Sequence, residues 1–217
     1  MFDIKVKICG LRDAASLEMA LDAGADYVGL VFFPPSPRHL SLAAGRSLAE
    51  QVSGRAQKVA LLVDPSDSQI EDVMAAVDPQ LVQLHGSESP ARVAALKQRW
   101  GLPIIKAIKV ASRADVTAAD AFGGSADMIL FDAKPPKGAD RPGGHGTTFD
   151  WAILAGFGPR FGRSAWMLSG GLHPGNVGEA IRATGAAAVD VSSGVETAPG
   201  IKDGTLVRAF IAAARAA

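Results

Sequence analysis

A single-domain (β/α)8 TIM barrel is the fold this sequence predicts, and three observations predict it. Short apolar runs rich in β-branched residues alternate with amphipathic stretches along all 217 residues. Most of these runs are continuously apolar, the pattern of strands buried on both faces of a parallel sheet. Their starts, at residues 5, 27, 58, 81, 104, 128, 165 and 187, make eight, recurring about every 26 residues in a length close to the usual barrel size. The competing α/β arrangement is an open doubly wound sheet. Its first βα turn would carry G-x-G-x-x-G, and here that turn reads Cys9-Gly10-Leu11-Arg12-Asp13. With no linker or low-complexity segment, residues 1–217 read as one barrel domain.

Strands are expected at 5–8, 27–32, 58–63, 81–84, 104–108, 128–131, 165–168 and 187–191. Between them, Asp13 opens a stretch with Leu17, Ala20 and Leu21 on one face. Ser41, Ser66 and Ser87 are expected N-caps for helices over 42–51, 67–77 and 88–100. Four more helices should begin at Ser112 or Asp115, at Phe149, at Pro174 and after Asp203. The long interval before the seventh strand contains residues 139–148, which read as an extended βα loop.

Composition narrows the function. The 22 Lys and Arg are balanced by 22 Asp and Glu, so no overall positive field draws nucleic acid or an anionic membrane, although a small anion could still be bound locally. One cysteine cannot form an intrachain disulfide, no signal peptide is evident, and no apolar run approaches the roughly 18 residues of a membrane span. The expectation is a cytoplasmic protein whose partner is a small molecule. The 24 Gly and 13 Pro exceed average usage and must sit in turns or loops.

Barrel chemistry is built where strands end and in the loops that follow. Strand one ends in Cys9, which shares a face with Lys5 and Lys7. Cys9 could be a small buried hydrophobe. Alternatively, a lysine ammonium nearby would lower the thiol pKa and make a base. Lys7 could equally pair with a buried carboxylate. Strand six ends in Asp132, ahead of a Pro-rich loop and not a helix start. A carboxyl removed from water keeps its proton more readily, which suits a general acid. Across the mouth, Cys9 and Asp132 could face one small molecule from opposite sides.

The loop Phe33-Pro34-Pro35-Ser36-Pro37-Arg38 is stiffened by three prolines. Arg38 is either a solvated surface arginine or a planar fork for a carboxylate, with Phe33 and the prolines as an apolar wall. Glycines cluster in the later loops at Gly143, Gly144 and Gly146, at Ser169-Gly170-Gly171, and at Ser192-Ser193-Gly194. Backbone amides in the loops after strands seven and eight commonly hold phosphate. No comparable cluster follows strands three and four, so one phosphate is implied. His85 and Asp190 could orient substrate hydroxyls or serve as hydrogen-bonded rim residues. The histidines lack metal-ligand spacing, so no metal site is expected.

Taken together, the segments Lys7-Ile8-Cys9-Gly10-Leu11, Ser36-Pro37-Arg38, Gln83-Leu84-His85-Gly86-Ser87-Glu88, Phe131-Asp132, Gly143-Gly144-His145-Gly146-Thr147-Thr148-Phe149-Asp150-Trp151, Leu168-Ser169-Gly170-Gly171-Leu172 and Asp190-Val191-Ser192-Ser193-Gly194-Val195-Glu196 resemble, in order, those of the phosphoribosylanthranilate isomerases of tryptophan biosynthesis. His145 departs from the small or hydroxyl residue usual there. The resemblance implies an Amadori rearrangement of N-(5′-phosphoribosyl)anthranilate without a cofactor, in a monomer or homodimer. Asp132 would be the general acid and Cys9 the general base, Arg38 would hold the anthranilate carboxylate, and the glycine loops would hold the phosphate.

Three rivals are weighed against this reading. The related isomerase of histidine biosynthesis carries an acid on strand one and a phosphate motif in each half, and this chain has neither. A non-catalytic phosphate-binding barrel would have no use for both Cys9 and Asp132. A Schiff-base lyase or aldolase would need a lysine in the mouth, for which Lys106 on strand five is the placed candidate.

Overall fold

Continuous apolar strands have no solvated face to offer, so they bury one face on each other and the other under helices. In the computed structural model, which describes residues 4–134, 138, 143–144, 146, 148–154, 157 and 166–217, eight parallel strands close into a barrel in sequence order. They are β1 (Lys5–Cys9), β2 (Tyr27–Val31), β3 (Gln57–Leu62), β4 (Leu81–Leu84), β5 (Ile104–Val110), β6 (Met128–Ala133), β7 (Trp166–Leu168) and β8 (Ala188–Val191). The closure pairs Lys7 of β1 with Asp190 of β8.

Seven α-helices lie outside the strands among the described residues: α1 (Ala14–Asp22), α2 (Leu42–Val52), α3 (Asp67–Val77), α4 (Pro90–Trp100), α5 (Arg113–Ala118), α6 (Val177–Thr184) and α7 (Gly204–Arg215). Asp13, Ser41, Ser66, Ser89 and Asp203 accept hydrogen bonds from first-turn amides of their helices. Each such cap contributes about 1 kcal/mol. The helices bury Leu17, Leu48, Val73, Val93 and Phe210 against outward strand residues such as Val6 and Ile8.

Several element bounds depart from the sequence expectation. The fourth helix starts later because Pro90 occupies its first turn, where no N–H is required, and Ser89 is the cap. Ser87, the expected cap, instead donates to Asp64, and Glu88 turns inward to accept from Lys106 Nζ at 2.7 Å. Strands β5 and β6 extend to Val110 and Ala133, where they pair with each other, so Asp132 sits inside the sheet. The helix expected at Phe149 is one 3₁₀ turn, Trp151–Leu154. The helix expected at Pro174 starts at Val177. Two short antiparallel strands, β9 (Glu196–Ala198) and β10 (Ile201–Lys202), follow the barrel without having been foreseen. His145 and Thr147 of the long loop, and Ala165 of the expected seventh strand, lie outside the described residues.

Inside the barrel, Val59, Leu81, Ile105, Leu130, Met167 and Ala188 form an apolar layer. Above it the lining becomes polar. Outside β6, the rings of Phe131 and Phe157 meet edge to face with centroids 4.7 Å apart, and those of Phe131 and Trp166 at 5.9 Å. Such contacts add about 0.5–1.5 kcal/mol each beyond burial. They lock β6 to β7 and so fix where Asp132 and Ser169 project. No helix among the described residues is long and apolar enough to cross a membrane.

Candidate active site

A cavity of about 800 Å³, its open mouth included, sits at the C-terminal ends of the strands. Cys9, Arg38, His85, Asp132, Gly143, Gly144, Gly146, Ser169, Gly170, Gly171, Asp190, Ser192 and Ser193 all line it. Of the residues expected to form the site, Gly194 does not. Its backbone packs under the carbonyl of Leu172, so close that a side chain would collide, and it shapes the loop from behind.

On one side of the mouth, the inward positions of β1 and β8 place Lys7, Cys9 and Asp190 together. Lys7 is fully buried, and its Nζ donates to Asp190 Oδ1 at 2.9 Å. Asp190 Oδ2 accepts from Ser169 Oγ at 3.1 Å. Both carboxylate oxygens therefore have protein partners, the rim reading that stood as one of two. The ammonium of Lys7 also reaches the Cys9 thiol. Burial, the largest single influence, lowers Lys7, but Asp190 and Cys9 together outweigh it and hold the ammonium above its ordinary value.

Of the two readings of Cys9, the same neighbourhood opposes the one in which lysine lowers the thiol. Burial pushes its thiol above the ordinary range, with the Asp190 charge adding to the rise, and the opposing pull of Lys7 is too small to reverse it. The carboxylate that pairs with Lys7 offsets part of the ammonium's pull, and burial exceeds what remains. The thiol packs against Val31 and Leu61. Gly29, the β2 partner of Cys9, leaves room for it, because a Cβ there would stand 2.7 Å from Sγ.

Arg38 is neither solvated nor wholly free. Its Nε and Nη2 donate to the two oxygens of Glu196 at 2.8 and 2.7 Å, a bidentate pair. Lys202 Nζ reaches the same carboxylate at 2.7 Å. Burial pushes the Glu196 carboxyl up, yet the bonds from Arg38 and Lys202 bring it below the ordinary value. Burial likewise lowers Lys202, which Glu196 offsets only in part. Two cations around one carboxylate leave a positive excess, and the Nη1 edge of Arg38 faces Gly144 in the mouth.

Across the mouth, Asp132 is held by different partners. Its Oδ1 accepts from the Ala133 amide at 3.0 Å, and its Oδ2 lies 3.2 Å from His85 Nε2. His85 Nδ1 in turn lies 2.9 Å from Gln83 Nε2. Gly143 packs over the pair, 2.6 Å separating its would-be Cβ from Asp132 Oδ2. Lys106, the Schiff-base candidate, points away into a buried bond with Glu88 and does not line the cavity. That removes the structural basis of the lyase reading.

Gln83, Glu196 and Lys202 were not among the residues expected to form the site. Gln83 and Glu196 lie within motifs already quoted, and two-residue alternation from His85 would have turned Gln83 inward. Lys202 carried no signal, because its position depends on the unforeseen hairpin. Among the described residues no group of three or more His, Cys, Asp or Glu could hold a metal ion.

Comparison with known proteins agrees with this geometry. The profile of the N-(5'phosphoribosyl)anthranilate (PRA) isomerase family matches residues 6–213. The N-(5'-phosphoribosyl)anthranilate isomerase of Rhodopseudomonas palustris (strain BisB5) is 57% identical over 98% of this chain and 96% of its own length. The crystal structure of phosphoribosyl anthranilate isomerase from Thermotoga maritima superposes with a TM-score of 0.88 at 34% identity, covering 99% of this chain and 100% of that one. A phosphoribosyl anthranilate isomerase in complex with reduced 1-(o-carboxyphenylamino)-1-deoxyribulose 5-phosphate is 33% identical with a TM-score of 0.85, over 99% and 100% of the two chains. A closed barrel with an acid and a thiol facing one cavity, matched over nearly its whole length, belongs to the phosphoribosylanthranilate isomerase family, the isomerases of tryptophan biosynthesis.

Proposed function

We propose that the family's reaction, conversion of N-(5′-phosphoribosyl)anthranilate to 1-(2-carboxyphenylamino)-1-deoxyribulose 5-phosphate, runs here with Asp132 as general acid and Cys9 as general base. The observation that carries this reading is that the two groups line one cavity from opposite sides of the barrel. Asp132 protonates the ribose ring oxygen, the C1–O bond breaks, and the ring opens to an iminium. Cys9 then takes the C2 proton, and the electrons of that C–H bond neutralise the iminium nitrogen to give an enolamine. Tautomerisation to the ketone completes the Amadori rearrangement.

Binding groups hold the sugar between acid and base. The free edge of Arg38 receives the anthranilate carboxylate, end-on, while Glu196 keeps the guanidinium plane fixed. Phe33 walls the aryl ring, and Gly170, Gly171, Ser192 and Ser193 receive the phosphate on backbone and hydroxyl donors. His85 and Ser169 complete the lining from β4 and β7. A reaction of this kind fits a single barrel domain over residues 1–217, working in the cytoplasm as a monomer or a homodimer. The Thermotoga maritima relative, described as a dimeric enzyme from which monomers were generated, is consistent with either assembly.

Turnover tests the assignment directly. The substrate's anthranilate fluorescence is followed with fresh phosphoribosylanthranilate. Cys9→Ala and Asp132→Asn should each lower kcat by about 10²–10⁴-fold with KM largely kept. Traces identical to wild type in either variant would overturn that residue's role.

A further inference from the structure

One buried group in the cavity has no part in the chemistry above. Gln83 is fully buried on β4, lines the cavity, and its Oε1 has no hydrogen-bond partner among the described residues. A buried acceptor left unpaired costs about 1–3 kcal/mol, and a leucine or methionine would fill the same inward position without that penalty. Packing therefore does not explain the amide. What it does touch is His85 Nδ1, at 2.9 Å.

We propose that Gln83 is a positioning residue that holds His85 as a neutral imidazole with its hydrogen on Nε2. A neutral imidazole carries one N–H. With Asp132 Oδ2 only 3.2 Å from Nε2, that hydrogen belongs on Nε2, where it donates to the carboxyl. Nδ1 is then an acceptor, and the Gln83 NH₂ is the donor that satisfies it. In an imidazolium both nitrogens donate, and the Gln83 amide would have to turn over to present Oε1. The amide as placed thus opposes a second proton on His85. The consequence for Asp132 is specific: its carboxyl receives a hydrogen bond that fixes its orientation, and its neighbour does not take its proton. In this role Gln83 acts through His85, its hydrogen-bond partner.

This inference rests on reading Asp132 as the acid, and the two can fail separately. The direct measurement is the ¹⁵N spectrum of the labelled wild-type enzyme at neutral pH, with His85 assigned among the four histidines by its loss in His85→Gln. The expected result is a protonated, pyrrole-type Nε2 and an unprotonated, pyridine-type Nδ1. Hydrogen on Nδ1, alone or together with Nε2, would overturn the proposal without any variant having to fold. In Gln83→Leu the tautomer preference should be lost and kcat should fall about 10–100-fold, with KM changed less than about threefold. In Gln83→Glu a carboxylate facing Nδ1 should draw a proton onto it and convert His85 to the imidazolium. Unchanged kcat in Gln83→Leu, or a neutral His85 in Gln83→Glu, would equally sink it. If Asp132→Asn proves fully active while the wild-type spectrum is as expected, the acid assignment falls and the tautomer assignment stands.

Discussion

The two sides of the barrel mouth hold their reactive groups by different physical means. Around Cys9 the protein has packed full charges: Lys7 on Asp190, and Arg38 and Lys202 on Glu196. Around Asp132 it has placed an imidazole, an amide side chain and a backbone N–H. On the charged side the pull of Lys7 and Lys202 on the thiol is opposed by Asp190 and outweighed by burial, which decides the direction in which that thiol titrates. Among the described residues no lysine or arginine bonds the Asp132 carboxyl, whose partners are uncharged donors. Proximity to a cation is thus a poor guide to its effect unless the cation's own partner is counted.

The largest expected break in this contrast comes from Lys7→Met, which strands Asp190 in the barrel without its counter-ion. Removing one member of a buried pair typically costs about 3–5 kcal/mol. Urea denaturation should record a loss of that size, most of it recovered in Lys7→Met with Asp190→Asn, since the pair as a whole contributes little. A single variant as stable as wild type would mean that the charged side is not self-contained. A smaller effect is expected of Arg38→Ala. Glu196 keeps Lys202 as a partner, so the fold should survive. The lost carboxylate contact should raise KM about 10–100-fold, with kcat within a few-fold. An unchanged KM would leave Arg38 with no role beyond holding Glu196.

The contrast also separates what the sequence makes legible from what it does not. Apolar runs call for a parallel sheet covered on both faces, eight even repeats without an opening G-x-G-x-x-G favour its closure, and the strand-end rule then brings Cys9, Asp132, Arg38 and the glycine loops to one cavity. Bounds were least legible where long-range pairing sets them, as where β5 and β6 extend each other past Phe131. The partners of the site residues were harder still. Lys7 meets Asp190 across a separation of 183 residues, and Arg38 meets Glu196 across 158. No local pattern encodes such a pairing. The thiol's environment stayed open for this reason: alternation along β1 located the ammonium and allowed Lys7 a carboxylate partner, but could not name Asp190.

The finest test concerns that thiol. A profile of rate against pH is ambiguous here, because a thiol with ionised Asp132 and a thiolate with protonated Asp132 contain the same number of protons and yield the same macroscopic limbs. Cys9 is the chain's one cysteine, so thiolate absorbance, corrected with Cys9→Ala, reports it alone. The midpoint should lie above the ordinary thiol value of about 8.5 and rise again in Lys7→Met, which removes an opposing charge. The sign carries over to stability. The folded chain holds this proton more tightly than the unfolded chain, so the contribution is complete below the unfolded value and fades as pH rises through the folded one. A raised midpoint means that Cys9, if it acts as the proposed base, must lose its proton before it can take one from substrate. A midpoint below the ordinary value would instead make Lys7 the governing neighbour, and the two sides of the mouth would no longer differ in kind.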